Sequence, residues 1–472
     1  MLKSAFSLIF GLLIAFTAQE TSAVLYNYIT LDVPGSASTN ATGVDANSEV
    51  VGSYVDASGI THGFIYSGGN IIHREGNYST LDPAGATYTS AQGISAYAQV
   101  VGIFRDALGT TRSFIYSRGE YTTLAVPGAT YTYANGISID GQVVGTWLDS
   151  LGKTHGFVFS EGNYTILDVP GANYTSALGI SSSDQLGNSS SSQVVGNYSY
   201  DPTSSNGNGE FGFIYSGGQY TTLTPPSAKS THPIGINDSG QVIGNYWDAS
   251  NILINFVFNE GNYIALNMPG STYTSVQAIN ANSQVLGWYS DACGTMRGFV
   301  YSSGNYTTLA VPGATQTSPG GISENGHVVG YYIDSNQKRH GFLAVPSYLS
   351  LTGGLFAPTP SIYQNCNQIA ISLDPGPYQG VNGDWWFVAY SPTSGHWYSY
   401  SYPLQWRDIG TNLNNITAAY QGPLVNATNL TLFDIRMITS GTYYLYFGVD
   451  TNMNGVLDMD RLYYTEYTLI VP

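Results

Sequence analysis

Charge is what this sequence has least of. Only 9% of its 472 residues are Asp, Glu, Lys or Arg, with 13 basic residues against 30 acidic and a formal charge of −17. An ordinary soluble protein is about 25% charged. The shortage of cations excludes the basic face that nucleic-acid backbones and anionic lipid surfaces require, so neither is an expected partner. Cysteine is almost as scarce: Cys293 and Cys366 are the only two. After the N-terminus no apolar run reaches the roughly 20 residues of a spanning helix, so no membrane span is expected. No nucleophile elbow, phosphate loop, dinucleotide fingerprint or zinc-protease pattern occurs, and no catalytic residue is assigned. What is plentiful is Gly (56) and Tyr (39), with Ser, Thr and Asn, a composition of short strands and tight turns.

The N-terminus reads as an export signal. Lys3 begins it, an apolar stretch runs from Ala5 to Ala18, and Thr21-Ser22-Ala23 supplies small residues before a cut. Residues 1–23 are expected to be cleaved, leaving a secreted protein in the extracellular space or at the cell surface. In that oxidising setting Cys293 and Cys366 form the one candidate disulfide.

The chain repeats itself. The segment from Gly136 to Gly145 (GISIDGQVVG) returns at Gly43, Gly93, Gly179, Gly235, Ala278 and Gly321, giving seven copies whose closing glycines lie 43 to 51 residues apart. That period belongs to solenoids and propellers. Each copy divides into four short strands separated by turns such as Asp56-Ala-Ser-Gly59 and Glu161-Gly162. A Val126-Pro-Gly128 type motif then carries the chain to the next copy, because Pro cannot continue a paired strand. The segment Tyr28 to Gly35 is a fourth strand without its first three, and the last copy stops at Val345 without its fourth. One strand completes the other. The predicted fold is therefore all-β: a seven-bladed β-propeller of four-stranded blades over residues 24–347, closed by the N-terminal strand.

The motifs His62-Gly-Phe64, His155-Gly-Phe157 and His340-Gly-Phe342, with the variants Arg112-Ser-Phe114 and Arg297-Gly-Phe299, give the sequence a named relative. Over residues 25 to 346 it resembles the extracellular HAF-repeat proteins, named for a His-Ala-Phe motif. The resemblance implies the architecture and not a reaction.

Residues present in every copy are expected to serve the repeat. An aromatic two positions after each closing glycine (Tyr54, Phe104, Trp147, Tyr198, Tyr246, Tyr289, Tyr332) is read as filling between blades, with sugar stacking as the functional alternative. Asp56, Asp106, Asp149, Asp248, Asp291 and Asp334 are read as turn acceptors. The repeated histidines are read as half-exposed strand starts and not as metal ligands. Asp45, Ser95, Ser138, Ser181, Asn237, Asn280 and Ser323 are candidates for lining a central channel or packing at its axis. What breaks the repeat is more informative: the insertions 70–76, 182–192 and 202–210, and the acids Glu75, Glu120, Asp184, Glu210 and Glu324, where a hydrolase or lyase would find its carboxylates. Asn77, Asn163, Asn173, Asn197 and Asn305 begin Asn-Tyr-Ser/Thr triplets that fit glycosylation.

Residues 348–472 carry no repeat. Alternating segments around Trp386, Trp397, Thr442 and Leu462 predict a β-sandwich, similar in pattern to small immunoglobulin-like or carbohydrate-binding modules. Its tryptophans Trp385, Trp386, Trp397 and Trp406 form either a sugar-stacking face or a core. The run from Asp450 to Asp460 places oxygens at alternate positions around Gly455, as calcium loops do. The candidate Ca²⁺ ligands are Asp450, Asn452, Asn454, the Val456 carbonyl, Asp458 and Asp460. Arg461 stands where those loops carry a bidentate acid, and an Asn-Gly hairpin turn is the metal-free alternative. No organic cofactor is implied. The expected function is non-enzymatic binding of an extracellular glycan or protein, or surface scaffolding. A polysaccharide-active hydrolase or lyase and a self-associating surface or filament subunit are the alternatives.

Overall fold

The computed structural model describes residues 25–68, 76–182, 192–201, 209–347, 359–365, 368–375, 378–401, 405–412, 415–425, 427–434, 439, 441–457 and 462–471. The chain divides into two compact units, Leu25–Ser347 and Tyr348–Pro472. Residues 1–23, expected from the sequence to be an export signal, lie outside the described part, as do most residues of the three insertions.

The first unit is built from four-stranded antiparallel meanders. In chain order they occupy residues 38–81, 88–124, 131–167, 174–223, 228–266 and 273–309. The strands Gln316–Ile322, Val328–Ile333 and Arg339–Ser347 are completed by Leu25–Leu31, which pairs antiparallel with residues 341–347. The meanders 131–167 and 174–223 also share one parallel bridge, Thr154 to Tyr174. First strands of successive meanders touch one another, and the last of them, Gln316–Ile322, touches the first, Ser38–Val44. The first strands thus close a circle. This is the architecture of a β-propeller.

The local chemistry explains the units. Arg118–Gly119, Glu161–Gly162, Glu260–Gly261 and Ser303–Gly304 all have positive φ at both residues, the two-residue type I′ hairpin that suits strand twist. Between meanders, Pro34 precedes Gly35 at φ 78°, and Ser36 N donates to Val33 O at 3.0 Å, a type II turn. The Thr39 hydroxyl then accepts from Val33 N at 3.2 Å, and Thr132, Thr175, Thr274 and Thr317 repeat that bond. The Val-Pro-Gly motif and the following Thr therefore act together to anchor one meander to the next.

Packing is equally repetitive. Phe64, Phe114, Phe157, Phe213, Phe256, Phe299 and Phe342 are completely buried, each lying on the closing glycine of its own meander. Core clusters join successive meanders: Leu31, Val329 and Leu343 pack with Ala41, Val50 and Phe64 across the join between last and first. The aromatics after the closing glycines enter these clusters, as Tyr54, Trp147, Tyr198, Tyr246, Tyr289 and Tyr332 do.

In the second unit the strands Thr359–Asn365, Gln368–Asp374 and Ala427–Asp434 make a three-stranded sheet. A larger sheet runs in the order Gln405–Gly410, His396–Ser401, Asn382–Ser391, Gly441–Asp450, Leu462–Val471, with Tyr420–Pro423 paired to the start of Asn382–Ser391. Ile369, Ile371 and Leu373 of the first sheet share one core with Trp385, Phe387, Leu445, Phe447 and Val449 of the second.

Candidate functional site

Every first strand of the repeat carries a β-bulge, at Thr42, Gln92, Asn135, Leu178, Ile234, Gln277 and Gly320. A bulge leaves one residue without a ladder partner and re-aims its side chain. Here the freed polar groups reach the neighbouring meander: Thr42 Oγ1 donates to Ala91 O (2.8 Å), Gln92 Nε2 to Tyr133 Oη (2.9 Å) and Asn135 Nδ2 to Ala177 O (2.7 Å). The Gln277 amide sits best accepting from Trp288 Nε1 at 3.2 Å and donating to Pro319 O.

These strands, with Tyr331 of Val328–Ile333, line an open cavity of ≈ 360 Å³ formed by Asn40, Ala41, Thr42, Ser90, Gln92, Gln277, Ser318, Pro319, Gly320 and Tyr331. The residues come from the first, second, sixth and last meanders, so the cavity exists only because the circle closes. Gly320 and Gly321 permit that closure: a Cβ on Gly321 would stand 2.7 Å from Thr42 O. Every side chain in the lining is neutral: hydroxyls, amides and one phenol, with Ala41 and Pro319 as its apolar members. Such a surface can exchange hydrogen bonds with a polyol in several directions at once.

Where the first strands of the third to sixth meanders end, a smaller cavity of ≈ 140 Å³ is lined by Ser138, Ser182, Asn237, Asp238 and Glu324 among others. Burial, reinforced by the charge of Asp238, raises the Glu324 carboxyl above its usual range although it accepts Ala281 N at 2.7 Å. The candidate channel residues are turn caps. Asp45 Oδ1 accepts from Asn47 N and Glu49 N, Ser95 Oγ from Tyr97 N and Gln99 N, and Asn237 Oδ1 from Ser239 N and Gln241 N. Asn237 and Asn280 also donate across meanders to Asn280 O and Ser323 O. All are buried.

The turn aspartates do what their position suggests. Asp56, Asp106, Asp149, Asp248, Asp291 and Asp334 each accept two backbone N–H bonds from residues two and four ahead. Their second oxygens reach the repeated cations: Arg112 Nε to Asp106 at 3.0 Å and Arg297 Nε to Asp291 at 3.3 Å. The histidines are more enclosed than half-exposed strand starts. His155 Nδ1 lies 2.8 Å from Asp168 and its Nε2 3.4 Å from Asp149, while the ring stacks on Trp147 at 4.3 Å. His62 is clamped between Asp82 and Asp56, and His340 between Asp32 and Asp334. The second aspartate was legible and overlooked: Asp32, Asp82 and Asp168 follow the fourth-strand Leu only where the repeat has His, and Ala125 and Ala310 stand there where it has Arg.

The non-repeated acids do not converge. Glu120 is exposed on a hairpin and Glu324 lines the smaller cavity. Glu210 is buried against Asn197 and His232 in a third meander. Glu75 and Asp184 lie outside the described residues.

In the second unit the tryptophans separate. Trp385 and Trp386 are both buried but alternate across their strand, Trp385 into the core with Trp406 beside it. Trp397 lies half-buried against Tyr390 and Tyr446. The Asp450 loop folds over two fully buried carboxylates. Asp450 Oδ1 accepts Asn452 N (3.0 Å) and its Oδ2 accepts Trp386 Nε1 (2.8 Å). Asp384, opposite Asp450 in register, accepts Asn454 N, Gly455 N and Gln421 Nε2. Asn454 Oδ1 accepts Val456 N at 2.7 Å. Asp384 is the loop's missed partner, signalled in sequence only by an acid beginning an apolar strand. Among the described residues no cluster of three or more His, Cys, Asp or Glu stands ready for a metal. Asp458, Asp460 and Cys366 lie outside the described residues; Cys293 sits in the Asp291–Gly294 turn, its N–H on Asp291 Oδ1.

No family model and no curated protein matches the chain. Solved structures do. The β-propeller domain of the Trilobed protease from Pyrococcus furiosus is similar at a TM-score of 0.48 and 10% identity, over 71% of this chain and 100% of that one. The WD40 β-propeller domain of Doa1 gives 0.40 and 13%, over 67% and 97%. A six-bladed fucose-binding lectin from Aleuria aurantia gives 0.33 and 13%, over 54% and 88%.

Proposed function

We propose that this chain is an exported, non-enzymatic recognition protein: a seven-bladed propeller of the HAF-repeat type that binds a neutral glycan at its axial cavity, followed by a β-sandwich recognition module. The neutral lining of the ≈ 360 Å³ cavity carries the reading. Its size suits one or two sugar rings, within the about 300–1,000 Å³ of small-ligand sites. Hydroxyls and amides from four meanders match a ligand that is all hydroxyls, and the negative charge of the chain disfavours acidic polymers. A hydrolase would need two carboxylates about 5–10 Å apart; the ≈ 360 Å³ cavity is lined by none, and the smaller cavity, which Asp238 and Glu324 share, is where that alternative would have to stand. The test is a glycan screen followed by calorimetry on the double variant Gln92→Ala, Gln277→Ala. Affinity for the selected sugar should fall at least tenfold, and unchanged affinity would remove the cavity from the reading.

A second reading concerns Ca²⁺ at the Asp450 loop. Two carboxylates buried side by side, Asp384 and Asp450, favour it, because a cation would offset their mutual repulsion and Asn452 and Asn454 would add oxygens. Asp384 joins the ligand set in this reading.

A further inference from the structure

We propose that the outer face of the larger sheet in the second unit is a separate carbohydrate platform, formed by the row Trp397, Tyr390 and Tyr444, on which a neutral polysaccharide lies across the strands. Trp397 is directly opposite Tyr390, and Tyr390 directly opposite Tyr444, so three rings stand side by side on three adjacent strands. Strand alternation sets them on the side away from the core residues Phe387, Ala389 and Leu445. Their rings lie 4.9 Å and 6.4 Å apart, the second pair nearly parallel at 13°. Tyr444 is 39% exposed, and Trp397 and Tyr390 are half-buried. Beyond Trp397 the row ends on Gly410, which raises no side-chain wall.

The occupant follows from this chemistry. Aromatic rings on the side of a sheet away from its core form a surface that a partner can cover, and Tyr444 is the most exposed of the three. Their faces carry negative quadrupole charge and attract the C–H faces of pyranose rings, while the phenol and indole polar atoms remain for sugar hydroxyls. Strand spacing of about 4.8 Å steps the row by roughly one sugar ring. The row itself is uncharged and the chain carries −17, which favours a neutral polymer over an acidic one. The ligand class is shared with the reading above, but the site is different and does not depend on the axial cavity.

The test is native affinity electrophoresis of the full chain in gels containing hydroxyethylcellulose, galactomannan or laminarin, with polygalacturonate as the acidic control. At least one neutral polymer should retard the wild type. Trp397→Ala and Tyr444→Ala should weaken that retardation tenfold or more, and Tyr444→Phe, which keeps the ring, should stay within threefold of wild type. The Gln92→Ala, Gln277→Ala variant reads the axial cavity separately: retardation that survives in it and is lost in the two alanine variants belongs to the platform. No retardation by any neutral polymer, or wild-type retardation of both alanine variants, overturns the proposal. Loss in the Gln92/Gln277 variant alone also overturns it and moves polymer binding to the axis. A wild-type dimer that Tyr444→Ala converts to monomer would identify the face as a self-association surface instead. Should Trp397→Ala lose its near-ultraviolet dichroism, Tyr444→Ala decides, since that side chain supports little packing.

Discussion

At Gly52, Gly145 and their repeats an added methyl would collide with a backbone carbonyl of the neighbouring strand and with the buried Phe ring. The carbonyl cannot move without breaking the sheet, so no rotamer relieves the clash. Gly145→Ala should cost about 3 kcal/mol, the upper range for overpacking. Gly59→Ala, at φ 84° with open space around it, should cost about 1 kcal/mol from backbone strain alone. Paired denaturation curves check this, and equal losses would contradict it. The clamped histidine makes a pH-dependent contribution. Burial pulls the His62 pKa down, but bonds to Asp82 and Asp56 outweigh it and leave the pKa above 6.5. A raised histidine stabilises fully below its unfolded pKa of about 6.5 and loses that effect as pH rises through the folded value. His327 shifts the opposite way through burial, so the contrast must be made by mutation. The melting-temperature difference between wild type and His62→Gln should be larger at pH 5.5 than at pH 8.5. The lowered carboxyls of Asp56, Asp106, Asp149 and Asp334, each held down first by a backbone N–H, act on the acid limb. Their stabilisation is present above about pH 3.8 and is lost below it as they protonate.

At the scale of the element, the strand Leu25–Leu31 is the most exposed to test. It adds the fourth strand to a sheet whose other three come from residues 316–347, and it is tied by side chains as well. Tyr28 Oη accepts Ala310 N at 3.0 Å, Thr30 meets Tyr332 at 3.1 Å, and Asp32 meets His340 at 2.8 Å. Removing residues 1–32 should lower the melting temperature by roughly 10 °C or more and expose a sheet edge to association. Asp32→Asn should cost only a fraction of that. The Asp450 loop is the second element to probe. If Ca²⁺ binds there, adding millimolar Ca²⁺ over chelator raises the melting temperature by mass action, and Asp384→Asn abolishes the rise. No calcium effect would leave the loop as a turn held by N–H donors to Asp384 and Asp450.

Across the whole molecule, one contact repeats around the circle. The fourth-strand tyrosine of each meander accepts the backbone N–H that follows the fourth-strand Leu of the meander before: Tyr78 from Asp32, Tyr121 from Asp82, Tyr164 from Ala125, Tyr220 from Asp168, Tyr263 from Thr224, Tyr306 from Asn267 and Tyr28 from Ala310. Burial pushes the Tyr28, Tyr121, Tyr220 and Tyr306 hydroxyls up to about 12, so they stay protonated across the working range. The chain of bonds has no end. Tyr78 is linked through Asp32 to the strand that finishes the last meander, which makes the first and last meanders as interdependent as any other pair.

The sequence by itself determined the period, the four strands, the turn chemistry and the completing role of Leu25–Leu31, because each rests on spacing and on residues whose backbone preferences are local. Gly52, Asp56 and the Val-Pro-Gly turn are legible because they recur copy after copy. Only the tertiary structure decided which side chains meet. Whether Trp385 and Trp397 share a face depends on strand register, and the grouping of Gln92 with Gln277 depends on a circle that brings residues 185 positions apart into one wall. The clamp of His62 between Asp56 and Asp82 and the cover of Asp450 by Asp384 are likewise contacts across strands. Local preferences act within a few residues, whereas a binding surface is made by burial and closure over the entire chain.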